Sequence, residues 1–207
     1  MRAFLFVAAA ICGYLVSGLN PAIALSKAIY KQDIRGCGSG NAGFTNFKRT
    51  FGNKWAWWVL ALDLTKAAVC VGLFGWLLSR QGVEFEFAAA YTGIFCMLGH
   101  IFPVQYKFKG GKGFLVCLST VLIVDWRVGL IATGIMTVLL LTTKYMSLST
   151  TLAMLLCPLL LFFFGATWPV ILMVAACAIF MAARHRENFK RLAQDKESKF
   201  SLFQRKR

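Results

Sequence analysis

Acidic residues are scarce in this chain: 8 Asp and Glu stand against 23 Lys and Arg in 207 residues, a net charge of +15. Charged residues of both signs together make up only 15% of it. A soluble domain of this length carries more charge and less apolar surface, so a water-soluble globule is excluded. Catalytic signatures are missing too. There is no Ser-His-Asp set, no His-Glu-x-x-His helix and no Cys/His array at metal-ligand spacing. A covalent acyl-enzyme is not indicated, and neither a metal nor a cofactor is expected. No long basic soluble face exists to track a duplex, so nucleic acid is not an expected partner. No internal repeat or low-complexity linker divides the chain, which reads as one transmembrane domain over 1–207 with a basic tail from about 184. The seven cysteines form no C-x-x-C pair, and all but Cys37 lie in apolar runs, where cysteine behaves as a small buried hydrophobe.

What the chain does have is apolar sequence: 58% of residues are hydrophobic and the mean hydropathy is +0.66. Apolar runs fall at about 3–29, 55–78, 87–106, 114–125, 128–142, 149–164 and 167–183. A full span takes about 20 apolar residues, so the later runs are short. The expected fold is an all-α integral membrane protein of about seven transmembrane helices, with short interfacial helices in the cytoplasmic loops. Arg2 and the first apolar run resemble a signal peptide, but no clear small-residue cleavage site follows, and an uncleaved first span is expected.

Charge orients the bundle. With the N-terminus outside, only Arg2, Arg80 and Arg127 fall in outer segments. The inner segments receive Lys31, Arg35, Lys48, Arg49, Lys54, Lys107, Lys109, Lys112, Lys144 and the whole basic tail. Cytoplasmic loops collect lysine and arginine in this way. Trp55, Trp57 and Trp58 then mark the inner interface, and Trp76, Trp126 and Trp168 the outer one.

Three polar clusters interrupt the apolar sequence, and this topology puts all of them on the cytoplasmic side. The first contains Gly38, Ser39, Gly40, Asn41, Thr45, Asn46 and Arg49. A helix starting near Asn41 places Asn41, Thr45 and Arg49 on one face, with Ser39 as its cap or as a ligand to a substrate oxygen. A plain capped interfacial helix is the competing reading. The second is Lys109-Gly110-Gly111-Lys112-Gly113, preceded by His100. It resembles a phosphate-cradling nest of backbone amides, though it is no Walker A sequence; the alternative is a basic turn. His100 is either an acid/base or phosphate donor, or structural. The third holds His185, Arg186, Asn188 and Arg191, with Arg184, Asn188 and Arg191 on one helical face. Lys199 and Arg205 to Arg207 read as a solvated tail held by anionic lipid. Asp63 and Lys66, three residues apart inside the second run, are costly in lipid and are expected to pair or to face the site.

Glycine with lysine, arginine and amide side chains suits anionic oxygens, above all phosphate. Three such clusters on one membrane face point to two phosphate-bearing substrates held together, with rate gained from proximity and charge stabilisation.

The motifs also match a known family. Asn20-Pro21, Lys27, Asp33-Ile34-Arg35, Gly38 to Asn41, Gly43, Thr45-Asn46, Arg49 and Gly52 come first. Gly99 to Pro103 with Phe108 to Gly113 follow, then His185 to Asn188, Arg191-Leu192 and Glu197, with Asp63 to Lys66 as a further signature. In this order and spacing the chain resembles the bacterial membrane-bound acyl-phosphate:glycerol-3-phosphate acyltransferases of the PlsY type. Ala67, Asp195 and Asn20 depart from the residues commonest there. The resemblance implies transfer of an acyl chain from acyl phosphate to the 1-hydroxyl of sn-glycerol 3-phosphate, giving lysophosphatidic acid and phosphate. It also implies a bacterial inner-membrane location and an upstream acyl-phosphate-forming enzyme as a partner. On that reading Ser39, Asn41, Thr45 and Arg49 bind one phosphate and the reacting carbonyl. Lys109 to Gly113 cradle glycerol phosphate, and His185, Asn188 and His100 orient the phosphates. Glu197 ties the tail by an ion pair, and a substrate phosphate oxygen is the base. A transporter of a phosphorylated metabolite and an acyltransferase using another alcohol are the alternatives.

Overall fold

The computed structural model describes residues 1–201; Arg205 to Arg207, assigned above to a lipid-held tail, lie outside the described residues. Among the described residues the regular structure is all helical. The helices are α1 (Arg2–Gly18), α2 (Pro21–Tyr30), α3 (Phe44–Phe51), α4 (Asn53–Ser79), α5 (Phe85–Ile101), α6 (Phe114–Val124), α7 (Trp126–Thr143), α8 (Met146–Phe163), α9 (Trp168–Arg184) and α10 (Arg186–Ala193).

Every apolar run forms helix, and as expected some of the helices are short. Five stretches are long and apolar enough to cross a bilayer: Arg2–Tyr30, Asn53–Ser79, Phe85–Tyr106, Trp126–Thr143 and Met146–Phe163. A sixth is counted if α9 and α10, bent by 51°, are taken as one. With 11 residues, α6 reaches only about 16 Å, short of a hydrocarbon core about 30 Å thick. It is sheltered by neighbours, packing against α4, α5, α7, α8 and α9. The large exposed apolar side chains, among them Val69, Leu73, Val138 and Leu172, form the face that lipid covers.

The first span is interrupted. Pro21 has no amide to continue α1, and Asn20 caps α2 by accepting from the Ile23 amide at 3.0 Å. Helix α5 is the most enclosed of the five long stretches. Its small residues allow close approach: a Cβ on Gly99 collides with the Tyr14 carbonyl of α1, and one on Gly93 with Thr120 of α6. The buried core runs through α4, α5, α6, α8 and α9, including Val71, Met97, Val121, Met154 and Val174.

Two ends of the bundle result. One gathers the loops at 31–52, 102–113 and 144–145 with the tail. The other gathers the turns at 80–84, 125 and 164–167. The loops at the first of these ends are tied to each other by Arg35. Its guanidinium pairs with Asp33 at 2.7 Å and donates to the carbonyl of Tyr106 at 2.9 Å. The Arg35 side chain holds the Asp33 carboxyl well below the usual range against the opposing effect of burial.

Candidate active site

A cavity of about 260 Å³ opens at the loop-rich end. Its polar wall carries Ser39, Asn41, Thr45, Asn46, Arg49, Asp63, His100, Lys112, His185, Asn188 and Glu197. All three clusters therefore meet in one place, as alternate loops of a bundle allow. The cavity's apolar lining is made of Leu60, Leu64, Phe114, Leu115, Leu118, Met136 and Met146 from α4, α6, α7 and α8. Sequence patterns gave no sign of this apolar lining, because leucine and methionine in a membrane helix look the same whether they face lipid, core or ligand. Ser147, Thr150 and Ser198 also line the cavity and were not anticipated.

The first cluster is built differently from expectation. Helix α3 begins at Phe44, with Gly43 at the cap position in extended backbone, so Asn41 precedes the helix and Ser39 does not cap it. Asn46 is committed to the loop. Its Oδ1 accepts from the Ser39 amide at 2.9 Å, and its Nδ2 donates to the carbonyls of Cys37 at 2.9 Å and Asn41 at 3.0 Å. It shapes the loop that presents Ser39 and Asn41. Gly38 and Gly40 line no part of the cavity; both have positive φ, +56° and +72°, and let the loop turn.

The second cluster is narrower than a five-residue cradle. The amides of Gly110 and Gly111 donate to the carbonyls of Ile101 and His100, both at 3.1 Å, so they are not aimed at a ligand. Lys109 is exposed and outside the cavity. Only Lys112 and Gly113 reach it. Gly113, at φ +88°, caps α6 in a left-handed conformation that turns the chain back into the bundle.

The third cluster is not one continuous face, since His185 sits at the bend between α9 and α10. Its Nδ1 lies 2.9 Å from the Met181 carbonyl. A carbonyl only accepts, so Nδ1 carries the proton and Nε2 is left as an acceptor. Asn188 receives Lys112 on its Oδ1 and donates through Nδ2 to Glu197 at 2.6 Å. Glu197 also accepts from Ser147 at 3.0 Å and Arg191 at 2.9 Å. Burial opposes its ionised form, but these three donors bring its pKa below the usual value. Arg186 points away and pairs with Glu187 at the surface, at 3.6 Å. Burial pushes the Lys112 ammonium down to about 8; Glu197 opposes that shift, and Arg191, Arg184 and Arg49 add to it.

The tail closes the site. The Phe200 amide donates to the Lys144 carbonyl at 2.7 Å, and Lys48 on α3 reaches the Ser201 carbonyl at 2.8 Å beneath the Phe200 ring. Burial pushes the Lys48 ammonium down. In sequence Lys48 is one more basic residue of a basic loop, and nothing marks it for burial.

A family model described as glycerol-3-phosphate acyltransferase matches residues 7–195. A glycerol-3-phosphate acyltransferase of Thermoanaerobacter pseudethanolicus is 39% identical over 196 residues, covering 93% of this chain and 94% of that one. One from Bradyrhizobium diazoefficiens is 36% identical, covering 96% of each. Two crystal structures of PlsY, an integral membrane glycerol 3-phosphate acyltransferase, superpose on this chain. The glycerol 3-phosphate form gives a TM-score of 0.86 at 31% identity over 98% of this chain and 99% of that one. The lysophosphatidic acid form gives 0.83 at 29% identity over 95% of each.

Proposed function

We propose that this chain, which belongs to the glycerol-3-phosphate acyltransferase family, moves a fatty acyl group from acyl phosphate to the 1-hydroxyl of sn-glycerol 3-phosphate. The products are lysophosphatidic acid and phosphate. The observation that carries this reading is the mixed lining of the cavity. Cations and amides suited to phosphate line it together with leucine, methionine and phenylalanine side chains suited to an acyl chain. The cavity lies at one end of the bundle, whereas a transporter site is expected near the middle.

In this reading Ser39, Asn41, Thr45 and Arg49 hold the acyl phosphate and its carbonyl. Lys112 and Arg49 bring fixed charge to the phosphates, with Asn188, His185 and His100 orienting them. Glu197 is structural, fixing Asn188, Arg191 and the start of α8. The 1-hydroxyl oxygen attacks the acyl carbonyl, its proton passes to a substrate phosphate oxygen, and the carbonyl–phosphate bond breaks. Acyl phosphate already carries a good leaving group, so no strong protein base is required. The 207 residues act as one domain, supplied by an enzyme that forms acyl phosphate.

Donor choice tests the proposal. The purified protein in detergent is expected to form lysophosphatidic acid from glycerol 3-phosphate and acyl phosphate, but not from acyl-CoA. The site suits small phosphates, and among the described residues no large nucleotide-binding unit is visible. Equal turnover with both donors contradicts the reading.

The site is assigned to the cytoplasmic face of a bacterial inner membrane, with the N-terminus outside, on the basic bias of the loops that form it. Cysteine labelling at Gln81 and at Ser198 is expected to reach the two from opposite sides of the membrane. Labelling of both from one side overturns the orientation.

A further inference from the structure

Three polar side chains meet beside the cavity, and two of them, Asp63 and His100, line it. Asp63 and Lys66 come from α4 and His100 from α5. The Lys66 ammonium lies 2.8 Å from Asp63 Oδ1, 2.8 Å from the Leu19 carbonyl and 3.2 Å from His100 Nδ1. An ammonium has three donors and no acceptor; here it hydrogen-bonds the Leu19 carbonyl and His100 Nδ1 and forms an ion pair with Asp63, whose Oδ1 lies 3.6 Å from His100 Nδ1, beyond hydrogen-bond distance. The Leu19 carbonyl is available because of the break in the first span. The Ile23 amide, its partner in an unbroken helix, turns to the Asn20 side chain instead. Asp63, only 2% exposed, pairs with the ammonium at this depth.

From this geometry we propose that Lys66 fixes His100 as its neutral Nε2–H tautomer, a hydrogen-bond donor to a substrate oxygen in the cavity, with Asp63 and Lys66 as its positioning residues. Nδ1 receives Lys66 and so carries no proton; Nε2 therefore carries it. Among the described residues Nε2 has no hydrogen-bond partner, while the ring lines the cavity. The ring packs against Gly111, where an added Cβ would collide with His100 Nε2, and the Gly111 amide donates to the His100 carbonyl at 3.1 Å. The opposite polarity belongs to His185, whose Nδ1 donates to Met181 and whose Nε2 accepts. The cavity thus presents one imidazole as donor and the other as acceptor, and neither has to change protonation to serve.

The proposal rests on the acyltransferase reading, and its first test does not. The chain has two histidines. In protein grown with ¹⁵N-histidine, NMR at neutral pH is expected to show one Nδ1–H and one Nε2–H tautomer, with His185→Gln identifying the survivor as Nε2–H. Lys66→Met should release that signal toward the other tautomer and leave the His185 signal in place. An imidazolium or an Nδ1–H form for His100 in the wild type overturns the proposal.

The second test is kinetic. In His100→Gln the side-chain amide comes near the Nε2 position, and activity should stay within a few-fold of wild type. His100→Asn puts its amide near Nδ1 and should lose about tenfold in kcat/KM, the effect of one hydrogen bond. Equal losses in the two variants, at equal thermal stability, also overturn it. If the tautomers are as expected but the wild type does not acylate glycerol 3-phosphate, the fault lies in the functional reading and not in the tautomer lock.

Discussion

Lys112→Ala is expected to lose between about tenfold and a hundredfold in kcat/KM for glycerol 3-phosphate, with Arg49→Ala losing at least tenfold. Each removes a charge-assisted phosphate contact worth about 1.5–3 kcal/mol. Lys112 is the more sensitive of the two. It is half-buried, it is held by Asn188, and its charge is set among Arg49, Arg184 and Arg191 with only Glu197 opposing them. Arg80, at the far end of the bundle, serves as the control, and Arg80→Ala should stay near wild type. Similar losses in all three would mean that general basic character had been mistaken for a site.

The depressed Lys112 pKa of about 8 adds a pH signature. Between that value and the ordinary lysine value of 10.5, the folded protein binds fewer protons at this position than the unfolded chain. Stability from this group therefore rises with pH across the window. Substrate binding moves the other way, because the cation that meets the phosphate is lost. The expected result is a KM for glycerol 3-phosphate that climbs above about pH 8 with no parallel fall in Tm. A KM flat to pH 9.5 would show that Lys112 does not meet the phosphate.

Gly110→Ala is expected to produce the largest loss of stability, about 3 kcal/mol, read as a drop in Tm in detergent. The new Cβ falls against the His100 carbonyl, within 2.6 Å of Pro103 Cδ and 2.9 Å of the Ile101 carbonyl. Backbone and a proline ring cannot step aside as a flexible side chain does, so the loop itself has to move. Gly111→Ala should act chiefly on activity. Its Cβ meets the His100 imidazole and lies 2.8 Å from the Ala42 carbonyl, in the loop that presents Asn41. An unchanged Tm for Gly110→Ala would mean that the 102–113 loop is not packed as described.

The convergence of the clusters was legible in the sequence because it follows from parity. Each cluster lies beside a helix end on the same side, and a bundle of alternating helices gathers such ends. The hydrogen bonding inside the clusters was not legible. Gly110 and Gly111 look like a nest, but their amides are taken by carbonyls of Ile101 and His100, which are freed where α5 ends. Asn46 looks like a ligand, yet its four partners, in Ile34, Cys37, Ser39 and Asn41, are all backbone groups of the segment before α3. The α3 start was misplaced because Gly43 caps it without a side chain, leaving no capping residue to read. Ser147 passes for one more small polar residue in a membrane helix until Glu197, fifty positions later in the chain, is seen to accept from it.

The closure of the cavity by the tail has a consequence for biogenesis. Its walls run from Ser39 to Ser198, and the strap that holds them together uses Phe200 and Ser201. A ribosome that has delivered the first six helices into the bilayer has made an open hollow, without His185, Asn188 or Glu197. A partly synthesised chain therefore holds only part of the cavity lining, and the hollow is enclosed when the segment through Ser201 folds back over α3 and α8.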